Sequence, residues 1–396
     1  MNIAISPEQN LLLACARSPF DRQSRDTIRN LLKERINWDR FFQLTRAHKI
    51  VPLCYLHLKE ESLSVPENVL NRLHHAYILN SIKSLDLYSH LIKTLNAFSE
   101  ANIDAVPIKG PILSWMLYER LSVRTFTDLD ILIRPEKYED AARILEACSY
   151  RPVEKGYSGA FIKDYIRHHT FEKSSPSGKP LGIEIHWNFY ANRILKFDMD
   201  IVWRSLQSIE LDGHQFLTLS PEYTLLHLAV NLRIHGYLNF RHYSDLSALL
   251  ECYGKSLDWK RILRQAAVNR QKTALYYALW FSSDLCGGRV PPGILEKLKP
   301  PKLQKKILAL FIDKRKIVDG YIPQNYKLFC DTVNFLTIDS PAESWRLIWL
   351  TGITHFHILR KRYIGSVSWG GIFGLIISPF RRLIKKIEDI LSNRNT

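Results

Sequence analysis

The six cysteines, at positions 15, 54, 148, 252, 286 and 330, form no Cys-x-x-Cys pair. That scatter excludes a cysteine-built zinc site and a disulfide scaffold, and it suits a reducing cytoplasm. No basic residues precede the short apolar stretch near MNIAISPEQ, so a secretory leader is not expected. Acidic residues are scarce: 39 Asp and Glu face 55 Lys and Arg, a net charge of +16. Such a surplus fits an anionic partner, whether nucleotide, nucleic acid or membrane surface. From Glu296 onward there are 18 Lys and Arg against 8 Asp and Glu, so ten of those sixteen charges sit in the last quarter.

A long apolar run is missing as well. The stretch from Tyr363 to Phe380 carries no charge, but its four glycines and three serines make a poor membrane helix. Arg360-Lys361-Arg362 precede it, and Arg381-Arg382 and Lys385-Lys386 follow. The leading expectation is a buried loop and cap with a basic terminal helix over 379–391. Peripheral contact with an anionic membrane is the alternative.

At 396 residues and 46% hydrophobic, the chain can bury a large core arranged in two or three lobes. Residues 1–100 read as a helical lobe. Ser6-Pro7-Glu8-Gln9 has the capping-box spacing, Val65-Pro66-Glu67 opens another helix, and Tyr77 to Ser99 is apolar at helical intervals. His74 and His75 are adjacent, so on a helix they point apart and do not share a metal. Residues 101–215 mix helix and strand, and Ser174 to Pro180 is a polar turn of the kind that joins hairpin strands. From Ser220-Pro221-Glu222 to about 360 the chain is helical again, with 361–396 as an apolar and basic tail. The fold class expected is α+β, a small mixed sheet between N-terminal and C-terminal helical lobes. Arg241 and Asp245, four residues apart, are expected to form an ordinary surface ion pair.

The chemistry concentrates in VPIKGPILSWMLYERLSVRTFTDLDILI, residues 106–133, and GIEIHWNF, residues 182–189. In Asp128-Leu129-Asp130-Ile131-Leu132-Ile133 the period of two puts both aspartates on one face, roughly 7 Å apart at Cα. Two carboxylates that close either raise each other's pKa or share a cation. Glu184 and His186 alternate with Ile183 and Ile185 in the same way, so a third carboxylate on a neighbouring strand would complete an oxygen-rich site suited to Mg²⁺. Taken alone, an Asp-x-Asp is more often a solvated strand face. Upstream, however, Ile108-Lys109-Gly110-Pro111 reads as strand end, glycine turn and helix start, with free N–H groups for an anion. Arg124, four residues before Asp128, is placed to meet a phosphate too.

This order resembles the polymerase-β-like nucleotidyltransferase superfamily, marked by a glycine turn, an acidic-x-acidic strand and a later acidic strand. More narrowly, Lys109-Gly110, Tyr118, Arg124-x-x-x-Asp128-x-Asp130-x-Leu132-Ile133 and Glu184-x-His186-Trp187 are similar to a bacterial family of uncharacterised nucleotidyltransferases. Some of its members sit in gene clusters for modified peptides. Ile36 to Arg40, His48 to Leu53, Leu225 to Leu228 and Arg241 to Leu246 extend the resemblance over about 30–255. It implies that Asp128, Asp130 and Glu184 hold two Mg²⁺ ions while an NTP gives its NMP to an acceptor hydroxyl. Lys109, Gly110 and Arg124 would neutralise the triphosphate, and Asp245 would stand in the pocket wall. The superfamily usually has a serine just after the glycine turn, where this chain has Pro111.

The acceptor stays open between small molecule, peptide, protein and tRNA. Nothing tied to the motif reads a base edge, so the nucleotide stays open as well. Alternatives are a toxin-like transferase acting on tRNA or a protein, a membrane-surface adaptor, and a silent binding module of a peptide-modification or surface-polymer pathway.

Overall fold

The computed structural model describes residues 5–340, apart from 18–19, 62–63, 154–167, 175–177, 179 and 191–196, together with 342 and 344. The tail expected over 361–396, with its apolar stretch 363–380, lies outside the described residues.

Four short helices open the chain: α1 (Pro7–Cys15), α2 (Arg22–Leu31), α3 (Trp38–Ala47) and α4 (Val51–Lys59). The capping box forms as the spacing requires, with the Ser6 N–H donating to Gln9 Oε1 at 2.8 Å. The fifth helix, α5 (Glu67–Glu100), runs unbroken for 34 residues, about 50 Å at the α-helical rise. Its buried face, including Leu87, Leu91 and Phe98, is the floor on which the sheet rests.

The sheet gathers β1 (Ala105–Pro107), β2 (Asp128–Ile133), β3 (Arg151–Pro152), β4 (His168–Lys173) and β5 (Leu181–His186) in the order β1-β2-β5-β4-β3. Only β2 and β5 run parallel; the other neighbours are antiparallel. Between β1 and β2 lies α6 (Gly110–Tyr118), and after β2 a 3₁₀ turn (Pro135–Lys137) leads into α7 (Tyr138–Ala147). Ile131, Ile133, Ile183 and Ile185 are completely buried in one cluster with α5 and Leu145 of α7. Each such side chain contributes about 1.5–3 kcal/mol by leaving water. A one-residue slip of either strand would turn these side chains out and the carboxylates in, so the hydrophobic face fixes the register.

After α8 (Met199–Arg204), a hairpin of β6 (Gln207–Leu211) and β7 (His214–Thr218) turns at Asp212-Gly213, both at positive φ. That is the two-residue turn whose twist suits paired strands. The C-terminal lobe begins with α9 (Pro221–Ile234), α10 (Arg241–Tyr253), α11 (Trp259–Val268) and α12 (Lys272–Cys286). Shorter helices follow as far as Tyr326–Leu336. The protein is thus an α+β fold with a small mixed sheet and helical lobes. The lobes meet: Leu12 and Phe41 share a cluster with Tyr237, Leu275 and Phe281. His48 Nε2 lies 2.8 Å from the Val318 carbonyl, which ties the first lobe to the last described helices. Among the described residues no helix is long and apolar enough to cross a membrane.

Candidate active site

The strand that carries the aspartates is pinned on both edges. On one side β1 ends at Pro107, and the Ile108 N–H donates to the Asp130 carbonyl at 3.0 Å. The chain then turns at Gly110, φ +62°, and enters α6 at once. A Cβ there would have ordinary room, its nearest neighbour being the Asp128 carbonyl oxygen at 3.8 Å, so the glycine is required by its dihedral rather than by crowding. On the other side β5 runs parallel with Asp130 opposite Glu184 and Asp128 opposite Gly182. Asp128, Asp130, Glu184 and His186 therefore share the face away from α5, and Gly182 brings no side chain to cover Asp128.

The three carboxylates are not equivalent. Asp130 is 6% exposed and receives Lys109 Nζ at 2.7 Å and His186 Nε2 at 3.0 Å, both on Oδ1. Burial alone would raise its pKa, but the Lys109 charge and the His186 bond outweigh it and hold the carboxyl well below the usual range. Glu184 stands 3.2 Å from His186 Nε2 and 3.7 Å from His168 Nε2, and against the pull of burial these rings lower it to about 2. Asp128, half-buried, is raised instead, first by burial and then by the negative charges of Asp130 and Glu184. Charge in this trio is left over: three carboxylates have one lysine bonded among them. The donor set, rich in carboxylate oxygen and with Asp128 raised, fits a hard divalent cation.

Cations that the spacing did not single out stand around the trio. Arg241 opens α10 with its Nε buried and without a hydrogen-bond partner. Burial and the nearby Arg124 lower its pKa to about 10, while Asp245, Asp128 and Asp130 act the other way. Lys49, an exposed residue at positive φ between α3 and α4, is lowered by desolvation and by Arg241, with Asp128 as its opposing charge. His242 is buried with neither ring nitrogen bonded, and its pKa is held well down by burial and then by Arg241 and Arg124. The motif His48-Lys49-Ile50-Val51-Pro52-Leu53 contains Lys49, but nothing in its spacing says that it reaches the sheet.

Arg124 is placed differently from the phosphate contact expected of it. Its Nε donates to Asp245 Oδ2 at 2.9 Å, both side chains being 1% exposed, and its buried Nη2 is left without a partner. Tyr118 adds its hydroxyl to Asp245 Oδ1 at 3.2 Å. The surface ion pair expected between Arg241 and Asp245 is therefore replaced by a buried pair with a different arginine. Helical spacing put the two residues on one face, but α10 turns that face inward against α6, where Arg124 lies nearer. Sequence reasoning misses His168 as well; it faces His186 directly across the β4–β5 pairing.

The chain matches none of the curated proteins. Among solved structures, an antigenic nucleotidyltransferase-like protein from Paracoccidioides brasiliensis is similar to 56% of this chain and 92% of its own, at 15% identity and a TM-score of 0.32. That likeness is too slight to carry an argument. Residues 34–287, well over half of the chain, match the model of a family described as uncharacterised nucleotidyltransferase, and the chain belongs to that family.

Proposed function

We propose that this chain moves a nucleoside monophosphate from an NTP to an acceptor hydroxyl or similar group at a polymerase-β-like site, in a bacterial cytoplasm. The observation that carries the reading is the trio itself, with Asp130 opposite Glu184 in parallel register and Asp128 two residues away on the same face. When bound there, two Mg²⁺ ions would supply Lewis-acid stabilisation of the reacting phosphate and lower the pKa of an attacking hydroxyl. Asp128, Asp130 and Glu184 would hold them. Lys109 neutralises Asp130 in the resting site and is close enough to turn to phosphate oxygens. Arg241 and Lys49 bring further positive charge. The positive φ of Gly110 turns the backbone into α6, whose first N–H groups suit an anion.

Charge state divides the roles of the acids. With its pKa at about 2, Glu184 is a weak proton acceptor near neutrality and is better suited to holding a cation. Asp128 is raised by burial and by the negative charges of Asp130 and Glu184, a repulsion that a bound cation would relieve. The acceptor itself is not specified by these residues; a small molecule, peptide, protein or tRNA would each fit the chemistry.

One observation favours a second reading, a binding module without turnover. Lys109 and His186 both occupy Asp130 Oδ1, so the carboxylate is already bonded without a metal ion. Calorimetry over a panel of nucleoside triphosphates with Mg²⁺, on the wild type and on Asp128→Ala/Asp130→Ala, separates the two. Metal-dependent binding of one triphosphate that the double variant loses supports transfer and names the donor. A wild type that binds no triphosphate overturns it in favour of the silent module.

A further inference from the structure

We propose that His168, Glu184 and His186 form a nitrogen-and-oxygen site for one divalent transition-metal ion, of the Zn²⁺, Mn²⁺ or Co²⁺ class. The topology makes the site. His168 and His186 are directly opposed across the antiparallel β4–β5 pair, and Glu184 precedes His186 by two residues on the same face. The two rings tilt together with centroids 4.9 Å apart. Glu184 Oε2 lies 3.2 Å from His186 Nε2 and 3.7 Å from His168 Nε2, and three donor atoms, one from each residue, fall within 4.8 Å of one another.

Those spacings match a metal polyhedron. Ligands at about 2.0–2.1 Å in a tetrahedral array stand about 3.3 Å apart, close to the 3.2 and 3.7 Å at which Glu184 stands from the two imidazoles. Imidazole nitrogen selects zinc and its neighbours over Mg²⁺, which takes oxygen and demands octahedral geometry. Three protein ligands also leave a position for an outside oxygen, the arrangement of catalytic rather than purely structural sites. Access is open, since His168 and Glu184 side chains are each 22% exposed while His186 is 2% exposed.

Binding would change the neighbouring carboxylate. His186 Nε2 now lies 3.0 Å from Asp130 Oδ1, and an imidazole nitrogen that ligates a metal cannot donate a proton from the same atom. The ion would therefore free Asp130 from His186, leaving Lys109 as its remaining bonded partner. This deepens the transfer reading by naming the kind of ion beside Glu184, but binding of the ion does not require that reading.

The test is titration of the metal-free protein with Co²⁺ and Zn²⁺ in the absence of nucleotide, with Mg²⁺ for comparison. The wild type is expected to bind one Co²⁺ with the visible absorption of a low-coordinate nitrogen-containing site, and Zn²⁺ is expected to displace it. His168→Ala and the milder His168→Gln should each weaken binding on the order of 100-fold while melting like the metal-free wild type. His75→Ala, an exposed histidine on α5 outside the ligand set, should keep the spectrum. A wild type that shows no such absorption, or that holds Zn²⁺ no more tightly than Mg²⁺, overturns the proposal, as does undiminished binding in a folded His168 variant. If Co²⁺ binds as expected and no triphosphate does, the metal site stands and the transfer reading falls.

Discussion

Two clusters of charge adjoin at Arg241, and they are built to opposite rules. At Arg124–Asp245 one guanidinium meets one carboxylate at 2.9 Å, a tyrosine completes the carboxylate, and both side chains are 1% exposed. At Asp128–Asp130–Glu184 three carboxylates share one bonded lysine, and Glu184 and Asp128 keep partial access to solvent. The first is neutral and closed; the second carries surplus charge and is open. A fold gains from burying charge only when the partners balance, so the balanced pair reads as structure. The unbalanced trio leaves negative charge uncompensated, the electrostatic condition on which the proposed cation site rests.

The contrast breaks hardest at the closed pair. Asp245→Ala leaves Arg124 buried without its carboxylate and is expected to cost about 3–5 kcal/mol of folding stability. Chemical denaturation measures this, and a well-packed Arg124→Met/Asp245→Leu double variant should recover most of the loss. Asp130→Asn at the open cluster removes the charge that Lys109 and His186 bond, and should cost less, about 1–3 kcal/mol. It should lower transfer on the order of 10³-fold, the equivalent of about 4 kcal/mol, once a donor is known. Comparable activity in that variant would remove the trio from the mechanism.

The sign of the third effect sharpens the comparison most. The folded pKa of Asp128 is raised, so between its unfolded and folded values the native state binds more protons, and stability falls as pH rises through that window. Removing the charge with Asp128→Asn should therefore stabilise the protein near neutral pH, on the order of 1 kcal/mol, while abolishing metal-dependent nucleotide binding. Mg²⁺ should raise the melting temperature of the wild type more than that of this variant. Thermal melts at several pH values, with and without Mg²⁺, would show it; a destabilised Asp128→Asn would contradict the idea of surplus charge. Gly110→Ala is expected to cost about 1–2 kcal/mol, from forcing a side chain to φ +62° with no clash to add to it.

Much of this site is legible in the order of the residues. The alternation in Asp128–Ile133 and Gly182–His186 is a local property of strands, so the faces of both acids follow from periodicity. Lys109-Gly110-Pro111 announces a turn into a helix for the same local reason. Arg124 and Asp245 lie 121 residues apart, and no periodicity relates them. Arg241 looks like the partner of Asp245 because helical spacing sees only its own helix. His168 sits beside a stretch with weak pattern, and its place opposite His186 depends on which strand lies next to β5.

The order of residues sets the elements and their chemical faces: the capped helices, the oily and acidic sides of β2 and β5, and the glycine turn at 110. These follow from dihedral preference and burial, which act over a few residues. The tertiary structure decided which charges meet. It laid β5 parallel to β2 so that Glu184 faces Asp130, gave Asp245 to Arg124, and turned Lys109 and His186 onto one oxygen. Electrostatic partnership depends on separation in space and on local dielectric, and neither is a property of the chain until it has folded.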